Sequence, residues 1–243
     1  MKKAAFTIVD DNYYYPVGTH IFVNTFKRFH PDIDLIVFRQ DTIDKVMKDG
    51  INFYNAKPTF AKLLTDKYDC IVNIDSDTVF MDRLTEVFDS EWEVGGVTNL
   101  NDYENASLQN ITSEMYVQAG MVGSCNPEFW DIWERENKKA MDYLRKENDI
   151  LNLVWYNDEK VNKMNRVIWD KDKNYLGCKS LGRELEFYMD GKKVMCRGEQ
   201  VKAYHHAHGA IFPKLDFEHM PFTFHVKEYL KTISKYGTTV TYG

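Results

Sequence analysis

Asp75 and Asp77 flank Ser76 directly after an apolar run, Cys70 to Ile74. Two carboxylates this close repel unless something positive lies between or beside them. A divalent cation is the usual solution. Mg²⁺ and Mn²⁺ prefer oxygen ligands and readily share them with a diphosphate. A polar turn closing a strand is the plainer reading of the same residues. A second chemical cluster is Tyr204-His205-His206-Ala207-His208-Gly209. Any of its three histidines could supply an imidazole ligand, and Gly209 permits close backbone approach.

The elements that must position these groups alternate. Ala4 to Val9 reads as a buried strand running into Asp10-Asp11-Asn12. Val17 to Phe29 has helical spacing, and His30-Pro31-Asp32 breaks it. Ile33 to Phe38 is a second strand, Thr42 to Lys48 a short helix, and Phe60 to Leu64 helical. Cys70 to Ile74, Glu93 to Thr98 and Tyr116 to Ser124 are further strands, with a long polar loop over 99–115. Pro127 starts a helix predicted to reach about Lys146, and Asp149 to Trp155 a shorter one. Val201 to Ile211 reads as a strand entering the His-rich loop, and Phe222 to Ser234 as an amphipathic end. Strand–helix alternation implies an α/β fold with a mostly parallel central sheet and helices on both faces. Ligands of such sheets bind beyond the carboxyl ends of the strands, and Asp10, Asp75 and Asp77 fall at such ends.

Composition narrows the class. The 243 residues are 44% hydrophobic and 28% charged, ordinary for a globular protein with a real core. A net charge of -6 argues against nonspecific nucleic-acid binding. Cys70, Cys125, Cys178 and Cys196 form no C-x-x-C pair and no evident disulfide framework, so a reducing compartment is expected. The apolar stretch after Met1-Lys2-Lys3 is too short for a signal-peptide core. No run approaches the roughly 20 apolar residues of a membrane span. The expectation is a cytoplasmic protein without an integral membrane segment, with peripheral membrane association left open.

In order from Asp10 to Gly209, the motifs resemble those of the family 8 glycosyltransferases, the group of glycogenin and bacterial lipopolysaccharide galactosyltransferases. Asp10-Asp11-Asn12-Tyr13 resembles the strand-loop that holds the uridine, so Asp10, Asn12 and Tyr13 are implied at the nucleotide. Phe60-Ala61-Lys62-Leu63-Leu64 resembles the helix whose basic residue, here Lys62, faces the donor. Asp75-Ser76-Asp77 matches the metal-binding D-x-D. Val117-Gln118-Ala119-Gly120 resembles an F-N-A-G stretch at the donor sugar, and Glu147-Asn148-Asp149-Ile150-Leu151-Asn152 a D-Q-D-x-L-N. His206-Ala207-His208-Gly209 resembles an H-x-x-G whose first histidine is the third metal ligand. The resemblance implies one GT-A nucleotide-diphospho-sugar transferase domain over 1–243, with a nucleotide-binding half (1–100) and a donor-sugar and acceptor half (101–243). It further implies a UDP-sugar donor, Mn²⁺ or Mg²⁺, retention of configuration, and a hydroxyl acceptor, a glycan among the candidates. Asp75, Asp77 and His206 would be metal ligands. Ser76 and Gly209 would join the donor site. Gln118, Glu147 and Asn148 would surround the transferring sugar, where this chain departs from the family's Asn, Asp and Gln.

Two rival classes fit parts of the chain. A haloacid-dehalogenase-type phosphatase would use Asp75 as nucleophile, but that family places this strand near the start of its domain, and no later acid pair of its kind is present. A noncatalytic protein that keeps the fold and binds a sugar or a partner is the other.

Overall fold

The computed structural model describes residues 1–9, 16–47, 53–98, 116–140, 147–169, 175–176, 187–191, 193–196 and 198–205. Strands β1 (Lys3–Ile8), β2 (Asp34–Phe38) and β3 (Cys70–Ile74) are parallel neighbours. Helix α1 (Pro16–Phe29) joins the first two. Pro16 opens it, where a missing N–H costs nothing, and Lys27 and Arg28 lie in its last turn, favourable to the helix dipole. Helix α2 (Gln40–Val46), a 3₁₀ turn (Phe53–Ala56) and helix α3 (Lys57–Lys62) lead into β3. A short strand, β4 (Thr78–Phe80), and helix α4 (Thr85–Phe88) come next, then β5 (Val94–Thr98) and β6 (Val117–Ser124). Helix α5 (Pro127–Ala140) is capped by Asn126, whose Oδ1 accepts from Glu128 N at 3.0 Å. Helices α6 (Glu147–Asn157) and α7 (Glu159–Lys163) precede β7 (Arg166–Ile168).

The central sheet has the order β2-β1-β3-β6-β5-β7, and only β6 runs antiparallel to its neighbours. The expected mostly parallel sheet is thus present, with β6 as the exception. Because β6 is reversed, its first residues lie beside the carboxyl end of β3.

Strand alternation sends side chains to two cores. Phe6, Ile71 and Val122 face the layer of α3, α5 and α6, where Phe60, Trp130 and Trp133 are fully buried. Ala5, Val72 and Ile74 face α1 and α4, where Phe22, Phe26 and Phe80 form an aromatic cluster. Burying each such side chain stabilises by about 1.5–3 kcal/mol, so β3, covered on both faces, is a firm base for the turn at its end.

Two smaller sheets complete the described structure, and of their strands only Ala203–His205 falls within one expected from the sequence. One is β9 (Phe187–Asp190), β10 (Lys193–Cys196) and β11 (Glu199–Gln200). The other joins β4 to β12 (Ala203–His205) and β8 (Tyr175–Leu176). The strand expected over Val201 to Ile211 is described only through His205. The loop 99–115, the end of the helix expected to reach Lys146 and the segment Phe222 to Ser234 lie outside the described residues.

The cysteine reading is corrected. Cys70 and Cys125 are joined by a disulfide. Antiparallel pairing of Ile71 with Ser124 sets Cys70 opposite Cys125, a neighbourhood that a sequence separation of 55 conceals. No helix among the described residues is long and apolar enough to cross a membrane.

Candidate functional site

Asp75 leaves the end of β3 in a tight turn, with Thr78 N donating to Asp75 O at 3.1 Å, and Ser76 and Asp77 are buried within it. The backbone of Asp75 is tied to β6, its N–H donating to Gly120 O at 2.8 Å. His205 arrives by β12 pairing antiparallel with β4, in the register His205 with Thr78. Lys202, on the approach to β12, fixes that position by an ion pair from Nζ to Glu86 at 2.7 Å. His205 Nε2 then stands 2.9 Å from Asp77 Oδ1 and 3.6 Å from Asp75 Oδ2. Ligand atoms of Asp75, Asp77 and His205 all lie within 4.8 Å of one another.

A buried lysine completes the cluster. Lys57 Nζ lies 2.9 Å from Asp75 Oδ1 and 3.1 Å from Glu147 Oε2, and donates to Ala119 O at 3.1 Å. Three oxygens thus surround the ammonium. The groups form a chain of alternating charge: Glu147, Lys57, Asp75, His205, Asp77.

The electrostatics reflect burial and neighbours. Burial works against the Lys57 ammonium, but the charges of Asp75 and then Glu147 outweigh it and hold its pKa above the lysine norm. Burial pushes the Glu147 carboxyl up to about 7, against the pull of Lys57 and with the Asp75 charge adding to the rise. Burial likewise disfavours the His205 cation, and Asp77, with Asp75 behind it, more than compensates, so its pKa is raised. Asp77 Oδ1 and Glu147 Oε2 are buried oxygens that receive no well-aligned hydrogen bond among the described residues. Their close contacts to His205 and Lys57 are ionic in character.

An irregularity in β6 shapes the floor. Gly96 pairs with Val122, yet Val97 pairs with Gln118, so three residues of β6 have no partner on β5. Bulges of this kind re-aim backbone and side chains beside functional sites. Backbone groups in and beside this irregularity are bound by site residues. Ala119 N donates to Asn148 Oδ1 at 2.8 Å. Ala119 O accepts from Asn73 Nδ2 at 2.8 Å as well as from Lys57. Asn152 pairs with both backbone groups of Val117, accepting at 2.8 Å and donating at 2.7 Å.

Asp75, Asp77, Glu147 and Gln118 thus come together at one place. Ser76 is buried in the turn, and Asn148 reaches the site through its bond to β6 rather than with a free carbonyl. Lys62 is not brought there: its Nζ binds Glu134 at 2.7 Å and Asp131 at 2.8 Å, against α5. Asp10, Asn12, Tyr13, His206 and Gly209 lie outside the described residues. Among the described residues the histidine at the acids is His205.

Lys57 was missed, although a signal for it exists. Lys57, Phe60, Ala61 and Leu64 recur at i, i+3, i+4 and i+7, one helix face. All four are buried. Lys62 falls off that face, which is why a motif match alone misplaces the cation.

No protein-family model and no curated protein sequence matches the chain. Solved structures do. The galactosyltransferase LgtC in complex with donor and acceptor sugar analogues matches with a TM-score of 0.53 at 14% identity, covering 98% of this chain and 97% of that one. An active-site mutant of LgtC matches with a TM-score of 0.50 at 14% identity over the same shares. The apo-form glycosyltransferase GlyE of Streptococcus pneumoniae has a TM-score of 0.45 at 13% identity, over 69% of this chain and 45% of that chain. At such identities likeness speaks for architecture, and function is argued from the site. With its sheet order and strand-end cluster, this chain has the GT-A glycosyltransferase fold.

Proposed function

We propose that the protein is a metal-dependent glycosyltransferase that moves a hexose from a UDP-sugar to a hydroxyl acceptor, a glycan among the candidates, with retention of configuration. The observation that carries this reading is the meeting of Asp75, Asp77 and His205 at the carboxyl end of a central strand in this fold. Two carboxylates and an imidazole suit Mn²⁺, and with somewhat less nitrogen preference Mg²⁺. The buried Asp77 Oδ1, without an aligned hydrogen bond, is an oxygen in need of a cation. Bound there, the metal supplies a Lewis acid that offsets negative charge developing on the diphosphate leaving group.

The chain's own residues do the rest. Lys57 holds Asp75 at a fixed orientation and offsets its repulsion with Glu147. Glu147 is engaged by Lys57 rather than free as a nucleophile, which favours attack by the acceptor hydroxyl from the leaving-group face. Asp10, Asn12 and Tyr13 are proposed to hold the uridine and Gly209 to join the donor site, while His205 takes the metal-ligand role that the motif resemblance gave His206.

A panel of nucleotide sugars with Mn²⁺, read as nucleotide release, tests the proposal. UDP-hexose turnover abolished by a chelator and restored by Mn²⁺ is the expected result. Indifference to every UDP-sugar, together with phosphate release from an aryl phosphate, would instead establish the phosphatase chemistry.

A further inference from the structure

Gln118 stands in β6 where the bulge begins and is almost fully buried, at 3% exposure. Its Oε1 lies 3.2 Å from His205 Nδ1. An amide oxygen can only accept, so in this contact the ring hydrogen is on Nδ1. Nε2 faces Asp77 and Asp75, at 2.9 and 3.6 Å, and is the nitrogen that a metal between those acids would take in place of its proton. A metal-ligating imidazole needs this state, and the hydrogen bond made by its other nitrogen selects it.

Gly120 provides the second half of the arrangement. A Cβ at this position would stand 2.6 Å from His205 Cε1 and 2.8 Å from Nδ1. The same Cβ would come 3.2 Å from Gln118 Oε1. The ring therefore lies in the space that the missing side chain leaves, with the amide against its edge. Gln118 and Gly120 are two residues apart in a strand, so both face β12.

We infer that Gln118 is a positioning residue for the metal site, setting the tautomer and ring orientation of His205, rather than a contact of the donor sugar. This inference rests on the metal reading of Asp75, Asp77 and His205. It assigns Gln118 a task distinct from the one its motif position implies, and gives a reason for a long amide there: a residue whose carbonyl must cross to a ring on the neighbouring sheet.

The test is Mn²⁺ affinity, measured by the electron paramagnetic resonance signal of free Mn²⁺, in the wild type, Gln118→Met and Gln118→Glu, with melting curves on each. Methionine keeps the volume and removes the acceptor. Glutamate keeps the acceptor and makes it stronger. Loss of such an outer partner typically costs about 10–100-fold in metal affinity. Gln118→Met is expected to weaken Mn²⁺ binding by that range, and Gln118→Glu to bind at least as tightly as wild type. A purely packing role reverses the order, with methionine tolerated and a buried carboxylate harmful. Equal Mn²⁺ affinity in wild type and Gln118→Met overturns the inference and leaves the metal reading standing. Wild type that does not bind Mn²⁺ overturns both. If Gln118→Met does not fold, the Gln118→Glu protein decides: affinity at or above wild type supports the inference, and weaker binding overturns it.

Discussion

Lys57 Nζ lies 2.9 Å from Asp75 Oδ1 and 3.1 Å from Glu147 Oε2, so one buried ammonium joins the acid at the end of β3 to the acid that opens α6. The two carboxylates come from opposite sides of the site, and without the cation they would face each other in a medium that screens them poorly.

Removing that cation is therefore costly. Lys57→Met is expected to destabilise the protein by about 3–5 kcal/mol, the usual loss when one partner of a buried ion pair is deleted. Urea unfolding measures it. A change under about 1 kcal/mol would mean that the pair is solvated and the cluster loose.

Asp77→Ala is expected to abolish Mn²⁺ retention and Mn²⁺-dependent nucleotide release while leaving the fold intact, because Asp77 sits in a turn and not in the sheet. Equilibrium dialysis with Mn²⁺ and far-ultraviolet circular dichroism check the two halves separately. Full activity in the variant would remove the metal assignment.

Gly120→Ala introduces a methyl group where His205 Cε1 would be 2.6 Å away. The ring must shift, and Mn²⁺ affinity should fall by about 10-fold or more, as for other disturbances of a ligand's surroundings. Unchanged affinity would show that His205 has another seat.

The disulfide closes a loop with a sequence separation of 55. The chain-entropy relation for a loop of that length gives about 4 kcal/mol of stabilisation. Cys125→Ser should lower the unfolding free energy by an amount of that order, and reductant should reproduce the loss in wild type. Equal stability with and without reductant would argue that the bond contributes nothing.

His30 offers a pH test away from the site. It is fully buried among Phe26, Phe80 and Phe88, and its Nε2 accepts from Leu84 N at 2.9 Å. Burial lowers its pKa from 6.5 to about 4, against the hydrogen bond to Phe26 and with the nearby Arg83 charge aiding the fall. Asp32 and Asp89, both bound to Arg83, oppose it weakly. The unfolded chain binds this proton first, so the contribution is present above pH 6.5 and is lost as pH falls toward 4. The full loss is about 3 kcal/mol. Stability curves of wild type and His30→Gln should differ in slope within that window and run parallel above it. Parallel curves throughout would mean that His30 titrates alike in the folded and unfolded states.

Strand and helix positions were largely legible because burial on two faces imposes runs and periods on the sequence. Cys70 to Ile74 reads as a strand since every side chain in it is covered. The small strands β7 to β11 were not legible: two to four residues carry too little pattern to register. Asn73, which interrupts the apolar run of β3, became intelligible only with its bond to Ala119 O.

The site divides in the same way. The chain's local order determined Asp75 and Asp77, because a short turn after a buried strand leaves the two acids no distance to separate. It also determined the face that carries Lys57, through helical period. Tertiary structure alone decided which cation meets those acids, which histidine among the described residues reaches them, and that Cys70 lies beside Cys125. The first depends on how helix α3 packs on the sheet, and the other two on the register between strands far apart in sequence, where a shift of one residue turns every side chain to the other face.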